Sequence, residues 1–142
     1  MNEIRSQIDL YQGEKTIGQI SLTARELDHG VEILYTDSED HKGHTKSRDF
    51  FYALAENRET YEKVNAFLMC KGSLKNVYPG GFTSEQSNSL LAYSYSADNN
   101  FSVVNILDPI AESEKNNLGT LKDQRASRDK AFSNQPARNL RR

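Results

Sequence analysis

Short runs of alternating apolar and polar residues open the chain. Ile4, Ile8 and Leu10 share one parity, as the inward face of a strand does. Gln12-Gly13-Glu14-Lys15 reads as a turn, with Gly13 free to take positive φ. A second strand is expected over Thr16 to Leu22 and a turn at Asp28-His29-Gly30. In a third strand Val31, Ile33 and Tyr35 alternate with Glu32 and Leu34. Short strands joined by short turns predict an antiparallel meander.

Thr36 to Lys46 is polar and reads as a loop. The spacing then becomes helical. Phe50, Leu54, Tyr61 and Val64, with Phe51 beside them, fall near one face, and Glu56, Glu59, Glu62 and Lys63 lie mostly on the other. Ser47 is the expected cap, Asp49 sits where the helix dipole favours negative charge, and the helix is expected to end near Lys63. Asn65 to Lys71 predicts a strand running into Gly72, and Ser73 to Ser89 has turn chemistry throughout. Leu90 to Tyr95 and Phe101 to Leu107 predict a hairpin around Ala97-Asp98-Asn99-Asn100. Asp108-Pro109 is expected to close the body, because proline cannot donate to a continuing ladder. The expected architecture is α+β: a mainly antiparallel sheet of five or six strands with one principal helix. Its core should hold Ile8, Leu10, Ile20, Val31, Ile33, Phe50, Leu54, Leu68, Cys70, Tyr93, Val103 and Leu107.

The chain has 142 residues, room for one domain with a modest core. The segment from Asn116 to Arg142 is rich in Asn, Gln, Ser, Lys and Arg, too polar to offset the entropy of ordering it. The expected division is therefore a single α+β domain over 1–110 and a flexible, disordered basic tail over 111–142. A short helix from Leu121 to Phe132, formed on binding, remains open. Charge follows the same boundary: residues 1–110 carry −6 and residues 111–142 carry +4, within a net charge of −2. No stretch reaches the roughly 18 apolar residues of a membrane span. Met1 to Leu10 carries Glu3 and Asp9 and lacks a signal peptide's apolar core. The single cysteine, Cys70, cannot form an internal disulfide, which fits a reducing compartment. A cytoplasmic protein with no membrane association is expected.

The segment Cys70-Lys71-Gly72-Ser73-Leu74-Lys75-Asn76-Val77-Tyr78-Pro79-Gly80-Gly81 resembles an uncharacterised bacterial family of small proteins. Its members show a strand ending in Cys-x-Gly, a loop reading Asp/Asn-Val-Tyr-Pro-Ser-Gly-Met, an Ala-Tyr strand and a closing Asp-Pro. Ala92-Tyr93 and Val104-Asn105-Ile106-Leu107-Asp108-Pro109 match the last two. The resemblance covers residues 47–110. Gly80 stands for the Ser, Phe82 for the Met, and Ser84-Glu85-Gln86-Ser87-Asn88-Ser89 for a common Arg-Asp-Met-Gly-Gly-Gly run. The resemblance implies a fold and no activity.

The same loop is the leading candidate site: Lys71, Ser73, Lys75, Asn76, Tyr78, Gly80, Gly81 and Phe82 are the expected partner- or ligand-binding residues. Glycines let backbone approach a ligand, Tyr78 offers a flat face with a hydroxyl, and two lysines add charge. The competing reading is an ordered connection that needs glycines for its geometry. The spacing of a phosphate-binding Gly-x-x-x-x-Gly-Lys-Ser/Thr loop is absent. Asp37, Glu39, Asp40, His41 and His44 do not make a zinc set, which wants four ligands and usually a remote second pair. Nor do they make an EF-hand, since Lys42 and Arg48 stand at its Gly and Glu positions. Cys70 lies in an apolar strand and reads as a buried structural thiol. No metal, cofactor or catalytic residue is expected.

These observations favour a non-catalytic bacterial binding protein acting on a protein partner, in the manner of small acidic immunity proteins that neutralise a basic toxin or effector. A small ligand-binding or enzymatic domain with its site at the Gly72–Gly81 loop is the alternative. Nucleic-acid association through the basic tail is a further one, diluted by Glu112, Glu114, Asp123 and Asp129.

Overall fold

A computed structural model describes residues 3–96 and 100–133. The α+β class is as read from the sequence. Among the described residues, two antiparallel sheets share one core with three α-helices. Strands β1 (Ile4–Gln12), β2 (Lys15–Glu26), β3 (Val31–Asp37) and β4 (Lys42–Ser47) form the meander. Strand β5 (Ala66–Leu68) adds beside β1, giving the order β4-β3-β2-β1-β5. Helix α1 (Phe50–Glu62) lies across this sheet. The second sheet, β6-β7-β8, comprises Val77–Tyr78, Leu91–Tyr95 and Phe101–Asn105, with α2 (Gly81–Ser87) between its first two strands. Helix α3 (Leu121–Ser133) follows a 3-10 turn over Glu112–Asn117.

The meander extends one strand further than its hydrophobicity shows. Lys42–Ser47 has no apolar residue, yet it pairs with β3 from Val31↔Ser47 to Thr36↔Lys42. It is an edge strand: Lys42, His44 and Lys46 face water, while Thr45 turns inward and donates its hydroxyl to the Ala53 carbonyl of α1 at 2.7 Å. With Ser47 inside β4, the helix cap passes to Asp49, whose Oδ1 accepts the Tyr52 N–H at 2.9 Å. The helix ends at Glu62, so Val64 falls beyond it and is exposed.

Ten of the twelve expected core residues are buried. Tyr93 is half-buried, and Val103 is 50% exposed on β8. Both belong to a sheet face that is covered over Tyr78 at β6 and opens toward β8. The stretch 73–89 holds more order than its composition suggests. Thr83 accepts the Gly80 N–H and donates back to the Gly80 carbonyl, which starts α2. Asn88 in left-handed conformation ends α2, and its carbonyl accepts the Phe50 N–H at 2.7 Å. The hairpin turn expected at 97–100 lies largely outside the described residues.

Packed structure also continues past Asp108-Pro109. Leu118 and Leu121 rest against the core, and Gln124 is fully buried. The cause is Arg58, itself buried on α1. Its Nη1 donates to the Gly72 carbonyl and to Gln124 Oε1, both at 2.7 Å, and its Nη2 to the Gly119 carbonyl at 2.8 Å. Its Nε meets Glu62 at 2.8 Å, which balances the buried charge. Gln124 in turn reaches the carbonyls of Gly72, Leu74 and Val77. Buried polar groups add to the packing of Leu118 and Leu121 in fixing residues 118–124 to the body. Residues 134–142, including Arg138, Arg141 and Arg142, lie outside the described residues. Among the described residues no helix is long and apolar enough to cross a membrane.

Candidate recognition cleft

The open part of this second-sheet face forms one wall of a cleft of about 580 Å³, lined also by residues of α1, α2 and α3. The strand register places its aromatic side chains. Tyr78 pairs with Tyr93, Tyr93 with Val103, and Tyr95 with Phe101, so these side chains share a face. Tyr93 and Phe101 meet edge-to-face at 5.0 Å, and Tyr95 lies 5.8 Å from Phe101. Gly80 belongs to this arrangement: a Cβ there would come within 2.6 Å of the Tyr93 ring, so glycine lets that ring lie over the loop backbone.

The floor is a pair of phenols. Tyr52 Oη and Tyr78 Oη are 2.9 Å apart. Burial raises the pKa of Tyr52, as do the hydrogen bond and charge of Tyr78, with Arg125 opposing. Tyr78 and Tyr52 in turn raise the pKa of Arg125. Arg128 closes one end with its guanidinium 4.6 Å from the Tyr78 ring centre, and it also pairs with Asp129 at 2.8 Å. Asp49 is the acidic residue of the lining, and its oxygens already accept the Tyr52 N–H and the Ser89 hydroxyl. Ser84 shares a hydrogen bond with Ser89 at 2.9 Å. Among the described residues no histidine or cysteine lines the cleft. What it presents is flat aromatic surface, hydroxyls and positive charge.

Of the residues expected from the loop, Tyr78, Gly80 and Gly81 line this cleft, together with Pro79. The others point elsewhere. Lys71 pairs with Glu114 at 2.8 Å and so holds the 3-10 turn before α3. Ser73 is fully buried, and its carbonyl accepts the Gly119 N–H. Lys75 packs on Gly119, where a Cβ would lie 2.3 Å from its Cγ. Asn76 donates to the Tyr95 carbonyl at 2.9 Å, and Phe82 is 63% exposed outside the cleft lining. Tyr52, Tyr93, Tyr95, Phe101 and Arg128 were not among the expected site residues. The period-two spacing of Tyr93 and Tyr95 carries a signal for them, since it puts two aromatic rings on one face.

The acidic loop after β3 is organised by hydrogen bonds to Asp37. Asp37 accepts the N–H groups of Glu39 and His41, the His41 ring at 3.1 Å and the Tyr61 hydroxyl at 2.9 Å. Among the described residues no group of three or more His, Cys, Asp or Glu side chains is gathered as a metal site. Cys70 is fully buried, and burial pushes its thiol pKa up, with Ser73 and Arg58 opposing. No protein-family model matches the chain, and no curated protein does.

Proposed function

We propose that this chain is a non-catalytic binding protein that recognises a protein partner through the aromatic cleft. The observation that carries this reading is the convergence of Tyr52, Tyr78, Tyr93, Tyr95 and Phe101, from three parts of the chain, on one open concave surface with Arg128 at its end. Tyrosine supplies large contact area with few rotatable bonds and arginine a planar charged donor fork, and both are enriched at protein-recognition hot spots. Among the described lining residues the one carboxylate, Asp49, is already taken up by the Tyr52 N–H and the Ser89 hydroxyl, which favours binding over catalysis. Most described cations of residues 111–133 are already engaged: Lys115 with Glu112 and the Tyr11 ring, Arg128 with Asp129, and Lys130 is not without a partner either. That weighs for a protein partner over a nucleic-acid backbone.

Selection of a displayed random-peptide library on the full chain tests this reading, followed by calorimetric titration of the enriched peptides. Enriched peptides should bind the wild type and lose affinity with Tyr95→Ala and Phe101→Ala. Failure to enrich any sequence, or affinity unchanged by both substitutions, would refute it.

A further inference from the structure

Strand β4 carries a basic residue at each outward position. Lys42, His44 and Lys46 alternate along it, Arg48 continues the spacing beyond its end, and all four are exposed. Alternate strand positions are about 6.8 Å apart, so Lys42 to Lys46 covers about 14 Å. Beyond the strand, Lys46, Ser47 and Arg48 meet His29 and Gly30 of the β2–β3 turn around an open depression of about 540 Å³. Among the described residues its lining has no carboxylate. Charges on an edge strand guard it against pairing. That accounts for Lys42 and Lys46, but not for the convergence of Arg48 and His29 on Lys46.

The ion pairs of the first sheet pass this row by. On the same face Glu32 is held by Arg25 at 2.7 Å, and Glu3 by Arg5 and Arg25 at 3.0 and 3.4 Å. Asp9 accepts the Gln19 amide at 3.3 Å. Among the described residues Lys42, His44, Lys46 and Arg48 form no ion pair. Exposed carboxylates stand in the turns at the two ends, Glu39 and Asp40 at one and Asp28 at the other. The surplus charge along β4 is therefore positive, although residues 1–110 carry −6 in all.

The neighbours select the occupant. Across the ladders lie Thr36, Leu34 and Glu32 of β3, then Ser21, Thr23 and Arg25 of β2. Leu34 is the one apolar residue among these six, and it is half-buried. A protein partner needs a buried aromatic or apolar anchor, and the bases of a single strand need aromatic rings to stack on. A duplex backbone needs neither, because cations at repeated spacing suffice. We propose that β4 with Arg48 holds the phosphodiester backbone of a nucleic-acid duplex without reading its bases. Lys42, Lys46 and Arg48 supply the charge. The surface shares no lining residue with the aromatic cleft, so it goes beyond the reading above.

The test is fluorescence anisotropy of the full chain with labelled DNA and RNA duplexes across a salt series. A duplex should bind at low salt, unrelated sequences alike, with log affinity falling against log salt at a slope of about −2 to −3. Comparing DNA with RNA identifies the source of the backbone. Lys42→Gln, Lys46→Gln and Arg48→Gln combined should weaken binding at least about tenfold and flatten the slope, with the melting temperature kept. Lys46→Gln alone should reduce the slope by about 1, and Lys42→Arg with Lys46→Arg should leave it as it is. Failure of both duplexes to bind at low salt would overturn the proposal, as would a slope unchanged in the triple glutamine variant. Loss of binding on combining Arg138→Ala, Arg141→Ala and Arg142→Ala, with the glutamine variant still binding, would move the contact to the chain end and overturn it. Equally tight binding of poly-aspartate, lost in the glutamine variant, would make an acidic polypeptide the occupant and overturn it too. Tyr95→Ala and Phe101→Ala should leave duplex binding unchanged, so either reading can fail without the other.

Discussion

Arg58 and Gln124 are 66 positions apart in sequence, both fully buried, and joined by a 2.7 Å hydrogen bond. The bond closes a polar knot in which one guanidinium and one amide satisfy carbonyls of Gly72, Leu74, Val77 and Gly119. Because α3 carries Arg125 and Arg128, the knot also holds one end of the cleft in place.

Removing a member of the knot strands buried polar groups. Arg58→Ala leaves Glu62, Gln124 and two carbonyls short of a partner and should destabilise the protein by about 3–5 kcal/mol. Gln124→Ala should destabilise by about 2 kcal/mol. Urea unfolding followed by circular dichroism measures both. A chain truncated after residue 110 should unfold at lower urea than the full chain, since Arg58 then loses Gly119 and Gln124.

Asn57 is the converse case. It is fully buried on α1, and neither its Nδ2 nor its Oδ1 has a hydrogen-bond partner. Asn57→Leu removes two unpaired polar atoms and improves helix propensity. It should raise stability by about 1 kcal/mol, read as a higher melting temperature.

Asp37 makes stability depend on acid. Burial alone would raise its pKa, but hydrogen bonds from His41, Glu39 and Tyr61 outweigh it and hold the carboxyl below its usual value. A carboxylate with a depressed folded pKa contributes fully above its unfolded pKa of about 3.9, and the contribution is lost as pH falls through the folded value. Wild type should therefore exceed Asp37→Asn in urea midpoint at pH 6, and the two should converge as pH falls from the unfolded pKa through the lower folded one. A gap that persists at the lowest pH would assign the role to packing.

Cys70 should resist thiol reagents in the folded protein and react at once in denaturant, because it is fully buried with a raised pKa. Ellman's reagent measures this directly.

The sequence was readable where one face of an element is apolar. Ile8, Leu10, Ile20, Val31 and Ile33 alternate, and they do line the first sheet. It was unreadable where polar contacts fix structure. β4 has no apolar residue and is held by its ladder to β3. Residues 118–124 looked unable to order themselves because the partners that hold them, the buried Arg58 and the core surface under Leu118 and Leu121, are remote in sequence. One local signal was present: Thr120 and Asp123 cap the start of α3 reciprocally, at 2.9 and 3.2 Å, in a Thr-x-x-Asp spacing. The Tyr78 loop led to the cleft only in part. Its lysines and Ser73 serve the fold, whereas strand register and α3 supply the rest of the surface, and neither long-range relation is written in local pattern.

Phe101 is more than half exposed, so Phe101→Ala should change stability by less than about 1 kcal/mol. If it is a binding anchor, the same substitution should weaken an enriched peptide by roughly tenfold or more. Parallel melting curves and calorimetric titrations separate the two effects.

The most direct test is amide chemical-shift mapping of the full chain titrated with an enriched peptide. Recognition at the aromatic cleft predicts the largest shifts in residues 78–81, 91–95 and 101–105 and at Arg128, with the acidic surface of Glu56 and Glu59 unmoved. Shifts centred on that helix surface, or spread without focus, would contradict it.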